Sequence, residues 1–257
     1  MGKEGYTRFT LSSETQIEAK KRLLELFKNS PIPDDDILGN LGLYTRSVIL
    51  AKLLYLNELY QQILTIPGII VEFGVWFGSN LALFKSFRSV YEPYNFTRKV
   101  VGFDTFEGYA SFSPEDGDSP YVAEWAETGE GYSVTERYED YLREVLDAQE
   151  QDNVVSHIKK YEIVKGNVIQ TIGQYLEENR ETVIALAYFD LALYEPTKKC
   201  LEAIRPHLVH GSVLAMDELN SHHFPGETIA LREVLGLDKY RIVKSRFLHD
   251  RSYIIID

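Results

Sequence analysis

The sequence predicts an α/β protein: one mostly parallel, doubly wound sheet that ends in a C-terminal antiparallel hairpin and is preceded by an N-terminal helical cap. Three observations carry that expectation. Short apolar runs that read as buried strands alternate with segments of helical period between residues 67 and 235. A glycine-bearing turn, Gly74-Val-Trp-Phe-Gly78, joins the first of these runs to the helix after it. The last two apolar runs, at 240–243 and 252–256, are separated only by a charged bend, as in a β-hairpin. The chain has 257 residues, enough for one large domain with a substantial core, and no Pro/Gly/Ser-rich linker divides it.

Each element follows from a local signal. Ser13 with Gln16 forms a capping box, and Ile17, Leu23, Leu24 and Phe27 continue it as a helical apolar stripe. The run Asn29-Ser-Pro-Ile-Pro-Asp-Asp-Asp breaks that helix, and a second is expected over 45–64. Residues 1–66 are therefore read as a helical cap, which could equally supply a dimer surface, and 67–257 as the main domain. Strands are expected at 69–73, 99–104, 161–165, 182–190 and 211–217, and helices after Gly78 and at 136–153, 168–178, 197–204 and 226–235. Between them, residues 107–131 are polar and acidic but carry Phe112, Tyr121 and Trp125, which suits a lid over a cleft.

Composition narrows the function. Lys and Arg number 27 against 39 Asp and Glu, a net charge of −12, and basic residues cluster only as pairs such as Lys20-Lys21 and Lys159-Lys160. Such a surface repels phosphate backbones and anionic membranes, so neither nucleic acid nor membrane is an expected partner. Cys200 is the only cysteine, which excludes an intrachain disulfide and a Cys-based metal cluster. Residues 1–6 lack a hydrophobic targeting segment, and the apolar run at 183–189 is too short to span a bilayer, so a cytoplasmic protein is expected.

In a doubly wound sheet, ligands bind beyond the strand C-termini near the switch in strand order. Glu72, Phe73, Gly74, Gly78 and Ser79 lie at the first such end. The dinucleotide fingerprint is absent, because Trp76 stands where its second glycine would be. A carboxylate at Glu72 suits a cationic ligand such as the amino group of S-adenosylmethionine. Asp104 ends the second strand, where it can accept both hydroxyls of a ribose, with Thr105 and Phe106 beside it. Gly166 and Asn167 would flank the adenine. An NAD-linked oxidoreductase is the alternative, but it needs both a broken fingerprint and a gap of 30 residues from Gly74 to Asp104. A non-catalytic small-molecule-binding domain is the other.

Asp190, Asp217 and Glu218 follow two further strands. Three carboxylates at one rim repel one another unless protonated, separated or bridged by a cation. An oxygen-only set favours Mg²⁺, with Ca²⁺ the competitor. Such an ion would stabilise a developing alkoxide and orient it, while a carboxylate or imidazole takes the proton. Asp190 is the preferred acceptor, and His223, in the loop His222-His223-Phe224-Pro225-Gly226, is the second candidate. The remaining histidines show no zinc spacing.

The run Val71 to Ser79, then Val101-Gly-Phe-Asp-Thr-Phe-Glu-Gly108, Phe189-Asp-Leu-Ala-Leu-Tyr-Glu-Pro-Thr197 and Met216-Asp-Glu218, resembles the macrocin O-methyltransferase family from about residue 45 to the C-terminus. The resemblance implies a Rossmann-like class I methyltransferase sheet and methylation of sugar hydroxyls on natural products. It implies that Glu72 and Asp104 bind the methionine and ribose portions of S-adenosylmethionine, and that Asp190, Asp217 and Glu218 surround Mg²⁺. The partner is then a hydroxylated, glycosylated small molecule, and a homo-oligomer is possible. The chain departs from the family's Asp-Asp pair at Asp217-Glu218, and from its Tyr-x-Ser-Thr at Tyr194-Glu-Pro-Thr197, where Pro196 would open the following helix.

Overall fold

The computed structural model describes residues 10–129 and 131–257. The reading of residues 1–6, and Glu130 within the expected lid, lie outside the described residues. Seven strands form one sheet in the order β3-β2-β1-β4-β5-β7-β6. They are β1 (Ile69–Phe73), β2 (Val100–Asp104), β3 (Tyr161–Lys165), β4 (Ile184–Phe189), β5 (Leu208–Met216), β6 (Ile242–Lys244) and β7 (Ser252–Ile255). The first five run parallel. β7 is inserted antiparallel between β5 and β6, so it alone opposes the rest. The switch in strand order falls between β1 and β4.

Period-two alternation divides the strand side chains between two cores. One face carries Ile70, Val100, Ile163, Leu186 and Val213 beneath helices α3 (Ser47–Gln62), α4 (Ser79–Tyr91) and α6 (Tyr138–Gln151). The other carries Val71, Phe103, Ala187 and Met216 beneath α7 (Val168–Glu178), α8 (Tyr194–Ile204) and α9 (Gly226–Val234). Both faces of the central strands are therefore dry, which is why they read as continuous apolar runs. Glu72 is the exception: it sits among them with no exposure at all. Cys200 is buried in α8, as its apolar surroundings predict.

The N-terminal region holds α1 (Glu14–Lys28), opened by the expected capping box: Ser13 Oγ accepts from the Gln16 amide at 3.3 Å, and Gln16 Oε1 from the Ser13 amide at 2.9 Å. The Pro/Asp run ends α1 but also starts a short helix, α2 (Asp34–Ile37), and a 3-10 segment, Leu38–Tyr44, that the breaker signal alone conceals. Among the described residues no single helix is long and apolar enough to cross a membrane.

Two expectations need correction. The segment 107–131 is not an irregular loop: it holds a 3-10 turn at Pro114–Asp116 and a helix, α5 (Pro120–Thr128), opened by Ser119 Oγ and Pro120. Polar content masked a face on which Val122 and Trp125 are buried. Pro196 is the third residue of α8 rather than its first. Helix geometry begins earlier because the Tyr194 amide is taken by Asp116 Oδ1 at 2.5 Å, which supplies the cap from the 107–131 segment.

Candidate active site

The turn after β1 is where a ligand can come closest to the main chain. Gly74 has φ +90°, and a side chain there would collide with the Asp190 carbonyl at the end of β4. Trp76, Phe106 and Ala192 are non-glycine residues in the left-handed region, at φ 49°, 60° and 59°. Each such residue costs on the order of 1 kcal/mol and persists only when its neighbours hold it. Asp104 is the holder at two of them. Its Oδ2 accepts from the amides of Val75 and Trp76 at 2.6 and 2.7 Å, and its Oδ1 from that of Phe106 at 2.6 Å. The carboxylate expected to receive a ribose thus also pins the turn above it.

A cavity of about 250 Å³ opens at the switch point between β1 and β4. It brings together Gly74, Asp104, Thr105, Gly166, Asn167, Asp190 and Glu218 from the sequence-predicted set. The other members do not line it. Phe73 packs in the sheet core against Phe103 and Phe189, and Phe106 is buried in the opposite core. Gly78 faces Leu142 of α6 and provides the left-handed cap of α4, whose first residue is Ser79. His223 sits at the rim, its ring edge-on to Tyr121 of α5 at 6.3 Å. Its neighbour Phe224 lines the cavity instead.

Electrostatically the site has more buried carboxylates than cations to match them. Burial, with Asp217 nearby, pushes Asp190 up to about 8 although Lys52 and Arg251 oppose it. Burial, Asp217 and Glu227 push Glu218 up to about 9. Glu72 is raised well above the carboxylate range by burial, against the pull of Lys52, and with Asp190 adding to the rise. Neither Glu72 oxygen has a well-formed hydrogen bond among the described residues, the side chain of Asn80 being the polar group that eases its burial. A buried carboxylate in that state fits a bound cation. The residues present therefore fit the cationic cofactor expected at this end.

The expected metal set is not assembled in this arrangement. Asp217 Oδ1 accepts the Tyr188 hydroxyl at 2.5 Å and is ion-paired with Arg251, whose Nη1 also donates to the Asp217 carbonyl at 2.8 Å. Among the described residues no three acid, histidine or cysteine side chains are grouped to hold an ion. The sequence put three acids in one crevice but could not see that a guanidinium from the bend before β7 enters it.

Three residues here escaped the sequence reading. Lys52, one of the long polar positions on an otherwise apolar α3, reaches the cavity. Glu227 is fully buried and ties both loops together: Oε1 accepts from the Leu191 and Ala192 amides, each at 3.1 Å, and Oε2 from the Glu218 amide at 3.0 Å. Its position just after Gly226 was the available signal. Arg251 had none, since a charged bend looks solvated in sequence. Over the cavity, Tyr109, Trp125, Tyr132 and Phe224 form an aromatic roof in which Trp125 and Phe224 stack at 5.5 Å and 1°.

With this geometry in place, likeness to known proteins becomes informative. The macrocin-O-methyltransferase family (TylF) matches residues 48–231, well over half of the chain. The chain belongs to that family. It is accordingly an O-methyltransferase that uses S-adenosylmethionine, which removes the oxidoreductase alternative. The solved structure of CalS11, a calicheamicin methyltransferase, is 43% identical, covers 98% of both chains and superposes with a TM-score of 0.90. An apo structure of CalS11, described as a TDP-rhamnose 3′-O-methyltransferase in calicheamicin biosynthesis, is 43% identical over 96% of both chains at a TM-score of 0.84. The O-methyltransferase NovP, at 17% identity over 80% of this chain and 79% of its own, has a TM-score of 0.62 and shares the fold. No curated protein sequence matches the chain.

Proposed function

We propose that this enzyme methylates a hydroxyl of a sugar in natural-product biosynthesis, the sugar being either attached to its aglycone or still carried as an activated nucleotide-linked precursor. One observation carries the reading. Asp190, a buried carboxylate raised to about 8, abuts the cofactor turn at Gly74 and faces a cavity roofed by aromatic rings. Likeness to CalS11, whose acceptor is a nucleotide-linked sugar, supports it.

When bound, S-adenosylmethionine supplies a methyl group on a sulfonium that departs as a neutral thioether, so no leaving-group acid is needed. The exposed main chain at Gly74 permits close approach, and Glu72 is the carboxylate that would hold the ammonium end. Asp104, with Thr105, and Gly166 with Asn167 line the wall for ribose and adenine. Asp190 takes the hydroxyl proton onto its carboxylate. A group poised near neutrality is well matched to that transfer. Lys52 and Arg251 favour the ionised form of Asp190, the form that can accept this proton. The roof of Tyr109, Trp125, Tyr132 and Phe224 stacks on the sugar's apolar face and excludes water, and His223 stands outside the transfer.

Mg²⁺, which the resemblance implies, does not fit the donor set as it stands, because Asp217 is committed to Arg251 and Tyr188. No step above depends on it. The test is methyl transfer from labelled S-adenosylmethionine to a panel of nucleotide-linked and glycoside sugars, with calorimetry against S-adenosylhomocysteine and NAD. Label should enter a sugar, and only S-adenosylhomocysteine should bind. Transfer confined to catechols or other aromatic hydroxyls would defeat the sugar reading.

A further inference from the structure

The amino-acid end of S-adenosylmethionine carries two charges, an ammonium and a carboxylate, and Glu72 accounts only for the first. A carboxylate set down beside Glu72, Asp190 and Glu218 is repelled unless a cation receives it. The amides of Val75 and Trp76 in the cofactor turn are already taken by Asp104. Among the described residues two cations line the cavity, Lys52 and Arg251. Arg251 is engaged: it is ion-paired with Asp217 and, at 2.8 Å, with Asp250, and its Nη1 donates to the Asp217 carbonyl. Lys52 is not. Its ammonium makes no ion pair or hydrogen bond with a described residue, yet its charge reaches both Glu72 and Asp190.

Helical period puts Lys52 there. Tyr55, Leu56, Leu59 and Tyr60 form the buried face of α3, and Lys52 stands three and four residues before the first two, on the same stripe. The Tyr55 hydroxyl donates to the Ser252 carbonyl at 3.3 Å, and Ser252 is in register with Met216, the last residue of β5. This turn of α3 therefore lies against the end of the sheet. One turn nearer the helix N-terminus, about 5 Å on, the stripe reaches the cavity. There the residue is a half-buried lysine instead of an apolar side chain. Holding a lysine on the inward stripe of a helix costs hydration and side-chain freedom, and packing gives no return for either.

We infer that Lys52 receives the carboxylate of S-adenosylmethionine, so that the amino-acid end is held as a zwitterion between Glu72 on β1 and Lys52 on α3. The inference rests on the placing of the ammonium at Glu72 and is independent of which hydroxyl is methylated. The lysine ammonium is a compact charge with three donors, suited to a carboxylate that approaches from one side. The helix before the first strand is then part of the cofactor site and not merely a cap beside it.

The test is calorimetry on the full chain with S-adenosylmethionine and its decarboxylated analogue, which keeps the sulfonium and the ammonium. Wild type should bind the decarboxylated analogue about tenfold more weakly, the loss of one charge-assisted contact. Lys52→Met should weaken S-adenosylmethionine about tenfold. It should leave the decarboxylated analogue unchanged or tighter, because the cation that repels the ammonium is gone. Lys52→Arg should recover part of the loss. Glu72→Gln should instead weaken both ligands, since both carry the ammonium. The thermal midpoint of Lys52→Met should match wild type, because the free protein has no bond at this ammonium to lose. Equal losses for the two ligands in Lys52→Met, or undiminished affinity for S-adenosylmethionine, overturn the inference. Undiminished affinity for both ligands in Glu72→Gln overturns the placing of the ammonium, a failure distinct from that of Lys52.

Discussion

Two buried charge clusters, one beneath α4 and α6 and one at the strand ends, show how a scaffold differs from a site. Under α4 and α6, Glu150 is surrounded by Lys85 at 3.5 Å, Arg88 at 3.1 Å and Lys160 at 2.6 Å. Main-chain carbonyls absorb the surplus positive charge: Lys85 donates to Leu146 at 2.5 Å, and Lys160 to Val155 and Ile158 at 2.6 and 3.0 Å. At the rim, burial raises Glu72, Asp190, Glu218 and Glu227 together, and Glu72 is relieved only in part by Lys52 and the Asn80 side chain. The first cluster sets three cations of the chain around one acid, with Arg88 Nε and Nη1 left without a hydrogen-bond partner among the described residues, and holds α4, α6 and the approach to β3 together. The second sets four raised acids against Lys52 and Arg251, a balance that a bound cation would shift.

Removing the hub of the first cluster should have the largest effect. Glu150→Gln leaves three buried cations facing one another and should destabilise the protein by about 3–5 kcal/mol in urea unfolding. A cost under about 1 kcal/mol would mean the cluster is hydrated, and the contrast would vanish. In the second cluster the consequence should fall on chemistry instead. Asp190→Asn should lower kcat on the order of 10²- to 10⁴-fold while the unfolding midpoint holds or rises. Equal losses in kcat and stability would make Asp190 a structural residue.

A smaller effect separates binding from folding. Glu72→Gln should weaken S-adenosylmethionine about tenfold in calorimetry, with no loss of stability, since it discharges a buried acid. The same cluster sets a pH dependence. Folded-state values of about 7 for Glu227, 8 for Asp190 and 9 for Glu218 lie above those of the unfolded chain. The folded form then holds protons that the unfolded form has released, so stability is greatest in acid and falls as pH rises toward 9. Thermal midpoints of the free protein should decline across pH 6–9, and S-adenosylmethionine should flatten the decline. A rising curve would contradict the raised acids of the second cluster.

The smallest change sharpens the metal question. Arg251→Ala frees Asp217 beside Glu218 and Asp190, and should tighten Mn²⁺ binding about tenfold as read by electron paramagnetic resonance. Unchanged affinity would show that Arg251 does not compete for the position.

The rim was largely legible in sequence because strand ends and glycine turns announce themselves. Gly74, Asp104, Asn167, Asp190 and Glu218, which the strand pattern set just beyond strand ends, were brought to one cavity by the fold. Phe73 and Phe106 were not, because a residue adjoining a site in sequence can face the opposite side of a pleated strand or turn inward after one. Nor was the helix α5 legible, because its buried face is carried by only two side chains amid polar ones.

The sequence by itself determined the alternation of strands and helices, the glycine turn after β1, and the family. Those depend on local period and on residues a few positions apart, where side-chain chemistry and backbone freedom act directly. Tertiary structure decided which acids burial would raise. Arg251, Lys52 and Glu227 come from a bend, a helix and a loop far apart in the chain, and only folding sets their distances to Asp217, Asp190 and Glu218. Coulomb energy and desolvation depend on those distances and on burial, neither of which is written at any single position.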